Sequence, residues 1–347
     1  MVMPPLSYRQ PGLILRQGAK DLQVRDLQRD LRSLGYLRRG INGTFGAVTV
    51  LAVKALRHDL LTNKGASTAS DGNAPVRVMD YNRGRVTAVN GQVDEQLAAC
   101  ISDILDDPAF PKLPHAQDPV QENRKISEQI AAMPRAAVPI PFLLAILKQE
   151  SGMMHYRVPS VTDEDNFIVV GLDRNAQGAV KPYAITSRGY GAGQYTLFHH
   201  PPRAEEVQQI MLDATGNVLK AIEELKGKFD HFILSKKSGA DDRVAEVGNG
   251  PLLTCRYAPG DPRYMKDCRA CALNAGAQSI VPGATPFYAG SSGVYRTTQY
   301  YNPAPFKKVP VRKNIGCDWP YAVRRYNGSG VNSFWYQGKV LVNLLGD

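Results

Sequence analysis

The stretch Val138-Pro-Ile-Pro-Phe-Leu-Leu-Ala-Ile-Leu-Lys-Gln-Glu150-Ser-Gly152 predicts one apolar helix that ends in a carboxylate. The prolines suit a helix start, and Gly152 suits its end. Leu143 and Leu147 lie on the same helix face as Glu150. Loss of water and the negative end of the helix dipole would both disfavour an ionised carboxylate there and raise its pKa. A general acid is kept protonated in this way, although an ordinary exposed Glu at a frayed helix end has the same sequence pattern.

The length of 347 residues allows two or three domains, and no apolar run approaches the ~20 residues needed to span a bilayer. We therefore expect no stable membrane insertion. Residues 1–10 lack a basic region followed by an apolar one, so the sequence predicts synthesis in the cytoplasm without a Sec-type signal peptide.

The net charge of +10 is unevenly distributed. Residues 1–65 hold eleven basic and four acidic side chains, a balance of +7. Such a module favours a polyanionic partner, which leaves nucleic acid, an anionic membrane and an anionic cell wall open. The sequence has no recognised nucleic-acid fold motif, so we expect no nucleic-acid partner.

A recurring pattern of glycines and apolar residues follows the N-terminal arm. It consists of Leu15-x-x-Gly18, Val24-x-x-Leu27-Gln28-x-x-Leu31, Leu34-Gly35-Tyr36, Gly43-x-Phe45-Gly46-x-x-Thr49 and Ala52-Val53. The pattern resembles the small three-helix peptidoglycan-binding domain, with Thr49 predicted to cap its second helix; the plainer interpretation is a generic helical bundle. The resemblance implies a binding domain over residues 13–62, anchored to the cell wall by Tyr36, Asn42 and Phe45.

The remaining chain is predicted to form a connecting region and a larger domain. Residues 63–118 are interpreted as a linker with a connecting hairpin at 76–92 and a helix, since the segment begins with a Gly/Ser-rich run. Residues 119–347 are interpreted as the catalytic domain, with a Cys-bearing insertion of loops at about 239–315. Two apolar runs at 167–173 and 179–186 flank a Gly/Asn turn and predict a second hairpin.

Three motifs in the larger domain occur in a family order. They are Glu150-Ser151, Ser187-Arg-Gly-Tyr-Gly-Ala-Gly-Gln194 and Arg325-Tyr326-Asn327-Gly-Ser-Gly330. Their types and order resemble the soluble lytic transglycosylase and goose-type lysozyme branch of the lysozyme-like superfamily. The resemblance implies a mainly α fold: an α+β lysozyme-like catalytic domain with a small β-hairpin, beside the three-helix binding domain.

The resemblance also implies the chemistry. Glu150 would protonate the leaving oxygen of a β-1,4 bond between MurNAc and GlcNAc and then act as a base. A lytic transglycosylase needs one carboxylate, which takes the proton from the muramoyl C6 hydroxyl as a 1,6-anhydro ring closes. A muramidase usually adds a second carboxylate, for which Asp173 is the best placed candidate. The other candidates are Asp163, Glu164 and Asp165.

Further roles are implied by resemblance. Tyr326 would donate a hydrogen bond to Glu150, Ser151 would orient the acid or the leaving group, and Asn327 would hold the adjoining loop. Saccharide contacts would come from the glycine-rich motif and its next residue: Ser187, Gly191, Gln194 and Tyr195. Each of these residues taken alone also suits a structural role.

Four of the five cysteines lie in the last third of the chain. Cys268-Arg-Ala-Cys271 is a lone CxxC, with Cys255 before it and Cys317 after it. Disulfides, a metal site and free thiols all stay open at this point, although the paired CxxC spacing of common zinc sites is missing. The predicted active site needs no cofactor and no metal.

The leading functional hypothesis is an enzyme that cuts peptidoglycan glycan strands and is held to them by its N-terminal module. The alternative is a non-catalytic cell-wall binding or structural protein with a lysozyme-like body. The substrate lies outside the cytoplasm, so delivery must bypass the Sec route. Proteins that resemble this one include phage endolysins, which are released through holins, and antibacterial effectors of type VI secretion, which have cognate immunity proteins.

Overall fold

The computed structural model describes residues 6–65, 76–132, 138–171, 183–235, 242–278, 309–328 and 332–346. The chain divides into two compact units. The first comprises Met1–Lys125 and Met154–Asn217, and the second comprises Ile126–Met153 and Val218–Asp347. The fold is mainly α, which confirms the predicted class. Within the described ranges, no helix is long and apolar enough to cross a membrane.

The elements are numbered here in chain order. The α-helices are α1 Leu22–Ser33, α2 Ala47–Thr62, α3 Glu95–Asp106, α4 Pro119–Ala132, α5 Ile140–Ser151, α6 Ala204–Glu206, α7 Ala214–Lys228, α8 Asp242–Val247, α9 Cys268–Leu273, α10 Trp319–Tyr326 and α11 Asn332–Leu344. The strands are β1 Val169–Gly171, β2 Arg188–Tyr190, β3 Tyr195–Leu197, β4 Ala277–Gln278 and β5 Val309–Pro310. Short π-helices, Val207–Met211 and Phe229–Leu234, follow α6 and α7.

The capping residues of the N-terminal helices lie where their apolar faces begin and end. The Asp21 side chain accepts from the backbone N–H of Val24 and caps α1, while Gly35 follows its end with φ +81°. The buried core of α1 and α2 also includes residues of α3 and of the segment before it. Residues 76–110 thus pack into this core. The predicted limits of the binding domain, 13–62, and of the connecting region, 63–118, stay predictions.

Two local predictions in this part are wrong. Residues 76–92 form a 3₁₀ turn, Val78–Tyr81, and a loop in place of a hairpin. The Asn82 side chain closes that loop by bonding both the N–H and the carbonyl of Val86. Thr49 does not cap α2, because the helix starts earlier with Gly46 as its N-cap. The Thr49 hydroxyl instead accepts from Gln28 in the core.

The second predicted hairpin is partly wrong. β1 lies in its first apolar run and pairs antiparallel with β2, Arg188–Tyr190, which begins after the second run. The described part of that run, 183–186, is not in a strand. β2 in turn pairs with β3, so the sheet has three strands in the order β1-β2-β3. Residues 172–182 lie outside the described part of the chain.

The second unit is built on α5. The helices α10 and α11 pack against α5, and α9 packs against both α5 and α11. The predicted insertion of loops contains α8, α9 and the short β4–β5 pair. Its residues 279–308 lie outside the described part.

Candidate active site

Helix α5 places Glu150 as the sequence suggested. Leu143 and Leu147 are completely buried on its apolar face. Gly152 ends the helix in the left-handed region, φ +67°, and its N–H bonds the carbonyl of Lys148. Glu150 is therefore held one turn after the last buried leucine, at a helix end that is fixed and not frayed. Its side chain keeps only partial exposure.

Two tyrosines and a lysine surround the Glu150 carboxyl group. Tyr336 and Lys339 come from α11, and Tyr326 is the last residue of α10. The two tyrosine rings stack with centroids 6.4 Å apart and planes at 7°. The Tyr336 hydroxyl interacts with the carboxylate, yet it meets no partner with ordinary hydrogen-bond geometry among the described residues. The contact between Tyr336 and Glu150 is therefore long or bent in this state.

Burial dominates the electrostatics of Glu150. Loss of water raises the pKa of Glu150 to about 7, against the opposing effects of the Tyr336 hydroxyl and of the Lys339 charge. At neutral pH the carboxyl group is thus divided between its protonated and ionised forms. A group in that state can give a proton and take one back in the same reaction.

Tyr326 lies close to two carboxylates. Burial raises the pKa of its hydroxyl well above the usual value, and the charges of Glu150 and Glu224 raise that pKa further. Glu224 comes from α7 and forms an ion pair with Lys228 at 3.1 Å. Glu224 was not predicted from the sequence, because no motif marks it among the charged residues of α7.

Ser151 and Asn327 have local structural contacts. The Ser151 hydroxyl donates to the Leu147 carbonyl at 3.1 Å, one helical turn back. Asn327 is exposed and forms the C-cap of α10, where its N–H bonds the Arg324 carbonyl. Their predicted roles beside Glu150 stay predictions.

The glycine-rich motif lies in the first unit and forms the tight turn between β2 and β3. Gly191 has φ +70°, and a Cβ atom there would lie 2.4 Å from the ring of His155 and 2.6 Å from the Asn217 amide nitrogen. Glycine is therefore required both for the backbone conformation and for space.

Two buried side chains that the sequence analysis missed hold this turn. Asn217 accepts from the Gly193 N–H at 2.7 Å and donates to the Tyr190 carbonyl at 2.9 Å. His155 lies 2.8 Å from the Met211 carbonyl through Nε2, and its Nδ1 accepts from the turn. Burial lowers the pKa of His155 to about 4, so the ring is neutral, with its proton on Nε2.

The other predicted saccharide contacts lie along this turn. The Gln194 side chain donates to the Gly191 carbonyl at 2.7 Å, while its buried Oε1 has no partner among the described residues. Ser187 is buried just before β2, and Tyr195 is half-buried at the start of β3. An unpaired buried acceptor suits a ligand N–H, so Gln194 keeps its predicted role as a prediction.

The alternative second carboxylates are already engaged within the first unit. Glu164 pairs with Arg29 at 2.8 Å, and Asp165 pairs with Arg32 at 2.7 Å. Asp163 accepts from the backbone N–H of Ile41. These ion pairs and hydrogen bonds show that the three acidic residues have structural roles. Asp173, the preferred candidate, lies outside the described residues.

The predicted wall anchors differ in exposure. Phe45 is 0% exposed and Tyr36 is 1% exposed, and the Tyr36 hydroxyl donates to Asp59. Both belong to the core, so neither side chain can contact a glycan without moving. Asn42 is exposed on a loop whose N–H groups bond to buried Gln28. Gln28, quoted in the sequence motif, is thus the residue that shapes this loop.

Within the described ranges, no group of three or more His, Cys, Asp or Glu residues is arranged to hold a metal ion. Among known families, residues 20–59 match the model described as a putative peptidoglycan binding domain. No curated protein and no solved structure matches the chain. The match supports the N-terminal part as a module that targets the chain to the cell wall.

Proposed function

We propose that the chain cleaves the glycan strands of peptidoglycan, with Glu150 as general acid and base. One observation carries the proposal: a half-buried carboxyl group with a pKa of about 7 faces two stacked tyrosines. The chain also has a module similar to peptidoglycan-binding domains, which would keep that carboxyl group near β-1,4 bonds. The place of action is then the cell wall, after delivery by a secretion or holin system.

The reaction uses Glu150 twice. Its protonated form gives the proton to the oxygen between MurNAc and GlcNAc as the bond from that oxygen to C1 breaks. The resulting carboxylate then removes the proton of the muramoyl C6 hydroxyl as O6 bonds to C1. This step closes a 1,6-anhydro ring and restores the acid. Tyr326 and Tyr336 would hold the carboxyl group during both proton transfers.

Replacing Glu150 with Gln tests the assignment. The variant keeps the size of the side chain but cannot give or take the proton, so we expect cleavage of purified sacculi to fall by at least ~10²-fold. The melting temperature should remain close to that of the unchanged protein, which separates lost chemistry from lost folding. Near-normal turnover of the variant would overturn the assignment of Glu150 as the acid. Absence of cleavage by the unchanged protein would leave the alternative, a non-catalytic wall-binding protein, for which the N-terminal module is sufficient.

The nature of the products distinguishes the two routes. The single-acid site predicts 1,6-anhydromuramoyl ends, because the tethered C6 hydroxyl replaces water at high effective concentration. Mass spectrometry of fragments released from sacculi should find ends that are lighter than reducing ends by one water. Reducing ends alone, together with inactivity of Asp173→Asn or Glu224→Gln, would show a muramidase with two carboxylates.

A further inference from the structure

Four of the five cysteines meet at one pocket in the second unit. Cys268 and Cys271 lie on α9, Cys255 lies in the loop before it, and Cys317 precedes α10. The same pocket is lined by Pro139, the N-cap of α5. The fifth cysteine, Cys100, is buried on α3 in the first unit.

The sulfur atoms are close enough to influence one another. Cys255 and Cys271 both act electrostatically on Cys268, and Cys268 and Cys255 act on Cys317. All are present as thiols. As stated above, the described residues contain no group arranged to bind a metal ion. The four cysteines are therefore close enough together to form disulfide bonds, and the described residues around them are not arranged as metal ligands.

The spacing within the cluster indicates a pairing. Cys268 and Cys271 are three residues apart in the first turns of α9, so their side chains share one helix face. Cys255 and Cys317 remain, and both line the same pocket and keep partial exposure. We propose that the cluster closes into two disulfide bonds, Cys268–Cys271 and Cys255–Cys317, when the protein enters an oxidising compartment.

The closure is a thiol–disulfide exchange with a small-molecule or protein disulfide as oxidant. For each bond, a thiolate of the cluster attacks one sulfur of the oxidant and releases the oxidant's first thiolate, which leaves a mixed disulfide. The second thiolate of the cluster then attacks the cluster sulfur of that mixed disulfide and releases the oxidant's second thiolate. Two protons leave the cluster, one S–S bond forms, and the oxidant is reduced to two thiols. Burial raises the pKa of Cys268 to about 12 and that of Cys317 well above its usual value, so attack should begin at the partly exposed Cys255.

The bonds would stabilise the frame of the candidate active site. Helix α9 packs against α5 and α11, which carry Glu150 and Tyr336. The bond between Cys255 and Cys317 would tie the loop before α9 to the start of α10. This inference concerns stability and covalent state, so it does not depend on glycan cleavage.

The test uses the full-length protein, purified with reductant and then incubated with oxidised glutathione. Peptide mapping by mass spectrometry without reduction should find the two stated pairs and a single free thiol, Cys100. The melting temperature should rise by at least about 5 °C on oxidation. The double variant Cys255→Ser/Cys317→Ser should keep part of the rise in melting temperature. The rise should disappear fully when Cys268→Ser and Cys271→Ser are added.

The matched control is Cys100→Ser, which should keep the full rise. Four or five thiols left after oxidation, disulfide-linked dimers, or a stoichiometric bound metal in the purified protein would each overturn the proposal. Any bond that joins Cys255 or Cys317 to α9 would overturn the assigned pairing.

Discussion

At the scale of single residues, the state of Glu150 depends on opposing effects. Burial raises its pKa, whereas the Tyr336 hydroxyl and the Lys339 charge lower it. Lys339 also lies 5.8 Å from the centre of the Trp335 ring, so its ammonium group has a second interaction on α11. The Lys339 charge therefore acts on the pKa of Glu150 from the neighbouring helix.

Replacing Lys339 with Met should raise the pKa of Glu150, because a positive charge favours the ionised carboxylate. Under the proposed function the acid acts while it is protonated, so we expect cleavage by the unchanged protein to fall as pH rises through about 7. In the variant this alkaline limit should move to higher pH. The measurement is the pH profile of the cleavage rate on soluble glycan fragments.

The control for this experiment is Lys339→Arg, which retains the charge and should keep the alkaline limit in place. A limit that shifts equally in the Met and Arg variants would mean that Lys339 acts through packing and not through charge.

At the scale of one element, the β2–β3 turn is fixed by space as much as by backbone conformation. Gly191→Ala should destabilise the protein, because the methyl group would overlap His155 and Asn217 in addition to the strain at φ +70°. Gly12→Ala is the matched control: it has φ +76° but nothing within 4 Å of the added atom. We expect Gly191→Ala to cost about 1–3 kcal/mol more than Gly12→Ala in denaturant unfolding. Equal costs would show that the turn has room that the structure does not indicate.

At the scale of the whole molecule, attachment to the wall should depend on exposed charge. Lys20 and Arg39 are exposed within the matched residues 20–59 and can meet an anionic polymer. The double variant Lys20→Glu/Arg39→Glu should pellet less with sacculi at low salt, and the difference should shrink as salt screens the charges. Deleting residues 1–65 is a poorer test, since it would open the core shared with 76–110.

The control for this prediction reverses two exposed basic residues elsewhere, Arg124→Glu and Lys313→Glu, which change the net charge equally. If both double variants lose the same amount of binding, overall charge governs attachment and the N-terminal module has no special part in it.

The sequence by itself determined the features that depend on neighbouring residues. The prolines, the leucine spacing and Gly152 specified α5 and the place of Glu150, because helix start, helix face and helix end are all local properties. The N-cap bond of Asp21 and the turn at Gly35 are equally local features of α1, although no prediction was made for Asp21. The local order of glycines and apolar residues also indicated the peptidoglycan-binding module, which the family match supports.

Only the tertiary structure decided which distant residues meet. Alternation around 76–92 resembled a hairpin, yet Asn82 closes a loop there and the apolar residues are buried in the core of α1 and α2. No local pattern marks Glu224 or Asn217, since each acquires its contact through a residue far along the chain. The fold likewise places four cysteines from separate segments around one pocket. Spacing along a helix is determined by backbone geometry, whereas these contacts are determined by how separate elements pack.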